Sequence, residues 1–316
     1  MKKMKIFSSL EDIKKSGLKF PNLAVALGMF DGVHIGHQTV IEKAVKLAHE
    51  HRGTSAVFTF RNHPMSVVAP AKKPLIINDN AAKVRDIEKL GVDVLVDIEF
   101  TKELSAMSPE AFMAMLRDYL APKFVVTGPN YSFGAMGKGS PELLAKEGGK
   151  YGFKAYMHHF VYCQNNMVSS TAIRRALESG DLDSANKMLG RPFSIDEEVA
   201  HGKKRGRMLG FPTANLMLSD DRAMVPNGVY IVAAYVGGRR YDAIASVGTN
   251  PTFRDISRRV EVNIFDFSHD IYGEVIRIDF LKAIRREIKF TSVDALLMQI
   301  KKDVQTAKDY FAAERK

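Results

Sequence analysis

Apolar and polar positions in the first half of the chain follow two periods in turn. Leu23-Ala24-Val25-Ala26-Leu27-Gly28 is an unbroken apolar run, the pattern of a strand buried on both faces. It gives way to Met29-Phe30-Asp31-Gly32-Val33-His34-Ile35-Gly36-His37, after which Val40, Ile41, Ala44, Val45, Leu47 and Ala48 recur at helical spacing. Residues 55–60 predict a second buried strand, and further apolar runs follow at 92–96, at 124–127 and from Ala155 to Val161. Helical patterns separate them, one opened by Ser108-Pro109-Glu110, which places a cap residue, a proline and an acid in the order a helix start prefers. Repeated strand-helix units predict a doubly wound parallel sheet with helices on both faces, and ligands of such sheets sit at the carboxyl ends of the strands.

Beyond Leu189-Gly190-Arg191-Pro192 the period changes to that of strands joined by turns: 195–201, 229–236, 241–247, 260–267 and 274–281, with Gly237-Gly238 as a two-residue hairpin turn. Helix returns only at the end, where Ser292 caps a stripe of Val293, Leu296, Leu297, Ile300, Val304, Ala307 and Phe311. The second half is expected to be a small antiparallel β-barrel with a C-terminal helix packed outside it. Without repeats or a low-complexity linker, the expected division is residues 1–187 and 188–316, joined by a short hinge.

Composition narrows the class. At 316 residues the chain exceeds one comfortable core. It has no run near the ~20 apolar residues of a membrane span and no signal-peptide pattern, so a cytoplasmic location and no membrane partner are expected. Cys163 is the single cysteine, which rules out an internal disulfide. The net charge of +10 invites a nucleic-acid reading, but the basic residues form short clusters at 203–205, 239–240, 258–259 and 285–286 without interleaved aromatic rings. Such clusters suit phosphorylated small molecules equally well.

Six stretches carry chemistry. The strand-to-helix turn with His34 and His37 is built to receive a phosphate at a helix N-terminus, or else its histidines simply cap the helix. Arg61-Asn62-His63-Pro64 is expected beside that turn, or else is a proline-containing surface loop, and the glycine-rich loop from Gly128 to Gly139 either offers Asn130 and Lys138 to sugar, base or phosphate or is a flexible surface loop. Ser169-Ser170-Thr171 with Arg174 forms a second candidate phosphate clamp at another helix start. The basic loop from His201 to Gly210 leads into a turn, Pro212-Thr213-Ala214-Asn215, whose hydroxyl and amide oxygens are hard ligands suited to Mg²⁺. No Walker A pattern is present. Strand alternation around residues 260–264 puts Glu261 opposite the apolar set of Val260, Val262 and Ile264.

These motifs, in this order, together with Arg286-x-x-x-Phe290, resemble the bacterial bifunctional riboflavin kinase/FAD synthetase family. The resemblance implies a nucleotidylyltransferase-like N-terminal domain that makes FAD from FMN and ATP. The barrel would then make FMN from riboflavin and ATP. It further implies that Gly28, Phe30, Asp31, Gly32, His34, Gly36, His37, Asn62, Asn130, Ser169, Ser170, Thr171 and Arg174 hold ATP for adenylyl transfer, with His34, His37 and Arg174 catalytic. For the kinase it implies Gly202, Lys203, Gly206, Arg207, Gly210, Pro212, Thr213 and Asn215 on ATP, Thr213 and Asn215 on Mg²⁺, and Glu261 as general base. Two departures stand out: the family often has acid-Pro-His-Pro at 61–64 and Asp-Phe at 130–131. Two rival readings are an adenylyltransferase for another phosphorylated substrate with a binding-only barrel, and a regulatory protein that binds nucleic acid or flavin.

Overall fold

The computed structural model describes residues 3–201, 211–251 and 256–315. Contacts divide the chain into two compact units, Met1–Ile76 with Asn80–Ser170, and Ile77–Asp79 with Thr171–Lys316.

The first unit runs β1 (Lys5–Phe7), α1 (Leu10–Ser16), β2 (Ala24–Leu27), α2 (Ile35–Glu50), β3 (Ser55–Phe60), α3 (Met65–Val68), α4 (Asn80–Glu88), β4 (Val94–Ile98), α5 (Lys102–Ala106), α6 (Pro109–Leu120), β5 (Phe124–Thr127), α7 (Pro141–Glu147) and β6 (Lys154–Met157). A short hairpin, β7 (Tyr162–Cys163) and β8 (Asn166–Met167), follows. The sheet order is β1-β4-β3-β2-β5-β6 with every pair parallel. From β2 the chain winds outward through β3 to β4, then returns to the other side of β2 for β5, so the order reverses between β2 and β5. Ligands of open α/β sheets bind at such a switch point.

Alternation along β2 divides its side chains between two cores. Val25 and Leu27 join Phe58, Phe112, Met113 and Leu116 on one face, while Ala24 and Ala26 lie with Val40, Ile41, Ala44 and Leu47 of α2 on the other. The predicted cap at Ser108 is present, accepting from the Ala111 N–H at 3.2 Å.

The second unit holds α8 (Ser170–Ser179, from its second residue), α9 (Leu182–Leu189) and β9 (Phe193–Ala200), β10 (Ala214–Met217), β11 (Gly228–Val236), β12 (Arg239–Pro251), β13 (Ile256–Ile264) and β14 (Val275–Arg286), then α10 (Val293–Glu314). The six strands close into an antiparallel barrel, β10-β13-β12-β11-β14-β9, with β9 pairing back to β10. Val232, Phe280 and Phe193 share one register row across β11, β14 and β9. Gly237 and Gly238 both take positive φ in the predicted hairpin. Ala307 and Phe311 of α10 pack on Ile231 and Ile244, and Ser292 caps that helix, accepting from the Ala295 N–H at 3.1 Å.

Three sequence expectations change. Thr213 to Asn215 is not a turn: Ala214 and Asn215 are the first two residues of β10, the strand that closes the barrel. The run from Ala155 to Val161 is not one strand, because β6 ends at Met157 and the chain next pairs as the β7–β8 hairpin. No hinge separates α9 from the barrel, since the Asn186 side chain accepts from the Phe193 N–H at 2.7 Å and donates to the Phe280 carbonyl at 3.0 Å. By contact, then, the two helices before residue 190 side with the barrel. So does Ile77–Asp79: Asp79 accepts from the buried Arg222 guanidinium at 2.7 Å, and Glu197 lies 3.3 Å from the same group.

Candidate active sites

The histidine turn sits at the carboxyl end of β2, at the switch point. His34 is the N-cap of α2, its Nδ1 accepting from the His37 N–H at 3.1 Å. The capping alternative is therefore realised, and it leaves room for the other. Because Nδ1 accepts, the proton of the neutral ring is on Nε2, which faces away from the cap as a donor. The cap also consumes the third N–H of the helix, leaving those of Ile35 and Gly36 as orphan donors of the first turn. The His37 ring stacks on that of His34 with centroids 3.5 Å apart and meets the Phe30 ring edge-on at 5.3 Å.

Close packing explains two glycines here. A Cβ on Gly28 would sit 2.8 Å from the Phe30 ring, and one on Gly36 would press to 3.3 Å of the His34 imidazole. Phe30 is 1% exposed at φ 52°, so a backbone conformation costly for a bulky residue is held by burial. The Thr59 hydroxyl donates to the Met29 carbonyl at 3.0 Å, and the Ser170 hydroxyl to the Asp31 carbonyl at 3.0 Å, fixing the turn from two sides. Ser170 is thereby committed to the turn, and to meet a phosphate with its hydroxyl it would first leave Asp31.

Since β5 neighbours β2, the loop from Gly128 to Gly139 follows the adjacent strand end. Its Asn130 and Lys138 side chains are exposed, while Tyr131 stacks on Phe133 at 5.8 Å and burial pushes its phenol up. Ser169 and Ser170 belong to the first unit; Thr171 and Arg174 lie on the part of α8 that belongs to the second. Asn62 differs most from its expected role. Its amide clamps the Phe100 backbone, accepting from the N–H at 2.7 Å and donating to the carbonyl at 3.0 Å. Arg61 likewise donates to the Asp97 carbonyl at 3.1 Å.

In the barrel, Asn215 on β10 is in register with Glu261 on β13, so both side chains share one face, and directly opposed Cβ atoms are about 5 Å apart. Val260, Val262 and Ile264 are buried on the other face, as alternation predicts. Glu261 is not simply solvated, because the Arg259 guanidinium lies 2.7 Å from its carboxylate. The Asn215 amide nitrogen turns to the Thr213 carbonyl at 3.4 Å, and its oxygen takes no partner among the described residues. A cavity of about 340 Å³ opens beside Pro212, Thr213 and Asn215. Its far wall is the link between β13 and β14, with Phe267, His269 and Tyr272, and the His201 ring lies 4.1 Å from Tyr272. The sequence reading passed over this wall, although two aromatic rings and a histidine in a polar link are a signal. Gly202, Lys203, Gly206, Arg207 and Gly210 lie outside the described residues.

Among the described residues, no three His, Cys, Asp or Glu side chains gather as a metal group, and no helix is long and apolar enough to cross a membrane. Among the described residues, one arginine of each basic cluster is paired within the barrel unit, Arg240 with Asp242 and Glu314, Arg259 with Glu261 and Arg285 with Asp303, while residues 203–205 lie outside the described residues.

Comparison with known proteins matches residues 19–172 to the FAD synthetase family and residues 189–311 to the riboflavin kinase family. Bifunctional riboflavin kinase/FMN adenylyltransferases are similar along nearly their whole length. The protein of Bacillus subtilis is 40% identical over 92% of this chain and 93% of its own, and that of Haemophilus influenzae 36% identical over 91% and 94%. A solved structure from Streptococcus pneumoniae, titled a macrolide-efflux protein, superposes with a TM-score of 0.86 at 35% identity, covering 96% of this chain and 98% of that one.

Proposed function

The chain belongs to the bifunctional riboflavin kinase/FMN adenylyltransferase family, a transferase that takes riboflavin to FMN and FMN to FAD with ATP as co-substrate, and we propose how its residues divide that work. Adenylyl transfer is assigned to the histidine turn and riboflavin phosphorylation to the β10–β13 face. The observation that carries the first assignment is the turn's position at the switch point of the sheet. For the second it is the register of Glu261 with Asn215, which with Val262 and Ile264 lines the cavity.

The two nucleophiles need different help. A ribityl hydroxyl is protonated at neutral pH and must lose its proton as it attacks the γ-phosphate, so a base is required, and Glu261 fills that role. For this the carboxylate must turn from Arg259 towards the substrate hydroxyl. Thr213 and Asn215 present a hydroxyl and a free amide oxygen, the hard donors that Mg²⁺ accepts, and would hold it. When bound, Mg²⁺ would neutralise phosphate charge.

FMN brings a phosphate oxygen that is already anionic, so its attack on the α-phosphate needs no base. What it needs is charge neutralisation. His34 through Nε2, His37, the N–H groups of Ile35 and Gly36, Thr171 and Arg174 are assigned to the developing charge and the departing pyrophosphate. Asn62 is left as a clamp on Phe100 rather than an ATP ligand. The activities are assigned to residues 1–187 and 188–316, in a cytoplasmic protein whose partners are riboflavin, FMN and ATP, without nucleic acid or membrane. Intramolecular pairing of Arg240, Arg259 and Arg285, one from each described basic cluster, supports that choice over the nucleic-acid reading.

The test is incubation with riboflavin and ATP-Mg²⁺ followed by chromatography. FMN should accumulate first and FAD after it. FAD from supplied FMN with no FMN from riboflavin would leave the barrel a binding module only.

A further inference from the structure

We propose that Lys83 is a positioning residue for adenylyl transfer, locking the carboxyl ends of β3 and β4 together and thereby fixing the histidine turn. The inference rests on that turn being the FAD-forming site.

Lys83 stands on α4 with 3% of its surface exposed, and its ammonium donates to the carbonyl of Phe60, the last residue of β3. Asp97 of β4, 2% exposed, lies 3.5 Å from the same ammonium and also accepts from Asn80 at 2.7 Å. A buried ion pair is poor value as packing, since apolar side chains of similar volume would fill this space without the cost of dehydrating two charges. What the ammonium adds is direction. It holds one named carbonyl, and the residue before that carbonyl is Thr59, whose hydroxyl holds Met29 at the start of the histidine turn. The end of β3 is therefore gripped by Lys83 and itself grips the turn. Displacing it would move Met29 and Phe30, and with Phe30 the ring that His37 rests against.

The charged groups facing Lys83 are Asp97 from β4, Asp31 from the turn after β2, and Arg61 from the segment after β3. Burial holds the Lys83 ammonium below the ordinary lysine range, with Asp97 opposing. A lysine with a lowered value keeps its proton below that value and loses it as pH rises through it. The ordering it provides should therefore fade at alkaline pH, before an exposed lysine would titrate.

The test uses the full chain, with far-UV circular dichroism and thermal melting as the control for folding of the sheet unit, since kinase activity reports on the barrel alone. Lys83→Met alone strands a buried carboxylate, so Lys83→Met/Asp97→Asn, which removes both charges and keeps an acceptor for Asn80, is the main variant. FAD formation from FMN and ATP should lose roughly tenfold or more in kcat, with KM for both substrates little changed, because misplacing reacting groups costs rate rather than binding. Its alkaline limb should disappear. Lys83→Arg, charged at every pH, should recover part of the rate and also lack that limb. Parental kcat with the parental alkaline limb in the double variant would overturn the proposal. If the double variant does not fold, Lys83→Arg decides by the same criterion. His37→Ala run in parallel separates the two ideas: if it makes FAD at the parental rate, the turn is not the site and both fall. If it is impaired while the Lys83 variants are not, only this inference falls.

Discussion

Replacing Glu261 by Gln separates catalysis from stability by magnitude. The side chain keeps its shape and its place on β13, but it loses its basicity and its ion pair with Arg259. That pair, at 2.7 Å, joins side chains 34% and 30% exposed. At such exposure an ion pair contributes about 0–1 kcal/mol. The barrel, held by a closed ring of six paired strands, should not notice the loss. General-base catalysis is typically worth 10²–10⁴-fold, and a hundredfold loss is about 2.7 kcal/mol of barrier at about 1.36 kcal/mol per tenfold. A fall of that size in FMN formation therefore cannot come from unfolding. The assay supplies riboflavin and ATP-Mg²⁺ in one arm and FMN and ATP-Mg²⁺ in the other, with thermal melting alongside. FMN formation should drop at least about a hundredfold, FAD formation from supplied FMN should hold, and the melting temperature should barely move. Undiminished FMN formation would place the base elsewhere. Equal loss in both arms with a lowered melting temperature would make Glu261 structural.

Three further outcomes follow from particular contacts. His37→Ala should lower FAD formation at least about tenfold with kinase activity retained, since a lost transition-state charge contact costs more than about 1.4 kcal/mol; a parental rate would remove His37 from the phosphate site. A fragment of residues 171–316 should melt well above one of residues 188–316. The shorter piece lacks Asn186 and the buried Ile173, Leu177 and Leu182, each worth about 2 kcal/mol of burial, and coincident melts would show that α8 and α9 are dispensable. Burial raises the Glu197 carboxyl above its ordinary value against the pull of Arg222. Its protonated form is thus favoured in the fold, and that contribution to stability is lost as pH rises from 4.5 through the raised value. Glu197→Gln should flatten the stability-pH curve across that window, and an unchanged slope would dismiss the effect.

Legibility in the sequence tracked the range of the forces involved. The β2 run, the caps at Ser108 and Ser292, the Gly237-Gly238 turn and the facing of Glu261 were readable because each depends on residues within a few positions. Strand β10 was not, because only Leu216 of its four residues is buried and nothing local marks it as the stave that closes a barrel. The clamp of Asn62 on Phe100 was hidden for a related reason. An asparagine after a strand can serve a ligand or a backbone equally, and the partner that decides, Phe100, is 38 residues away. Lys83 on a helix reads as a solvated charge until Asp97, two strands from the histidine turn, is seen to face it. The bond from Arg222 to Asp79 spans 143 residues and had no signal at all.

The two chemistries also place different demands on the backbone, which accounts for where each candidate site lies. Charge neutralisation can be done by groups that converge on a phosphate from a helix start, and a strand-to-helix turn supplies them with little need for long-range precision beyond what holds the turn. A base must meet one hydroxyl at hydrogen-bond distance, and strand register delivers that precision. Asn215 and Glu261 are opposed by the ladder itself. Because side chains alternate along a strand, a slip of one residue between β10 and β13 would send Glu261 into the apolar interior and bring Val260 or Val262 outward. The buried valines on either side of Glu261 oppose such a slip, since it would expose them. The same residues that stabilise the barrel therefore fix the position of the carboxylate, and with Glu261 as the proposed base kinase activity should depend on the integrity of the whole ring in a way that adenylyl transfer should not.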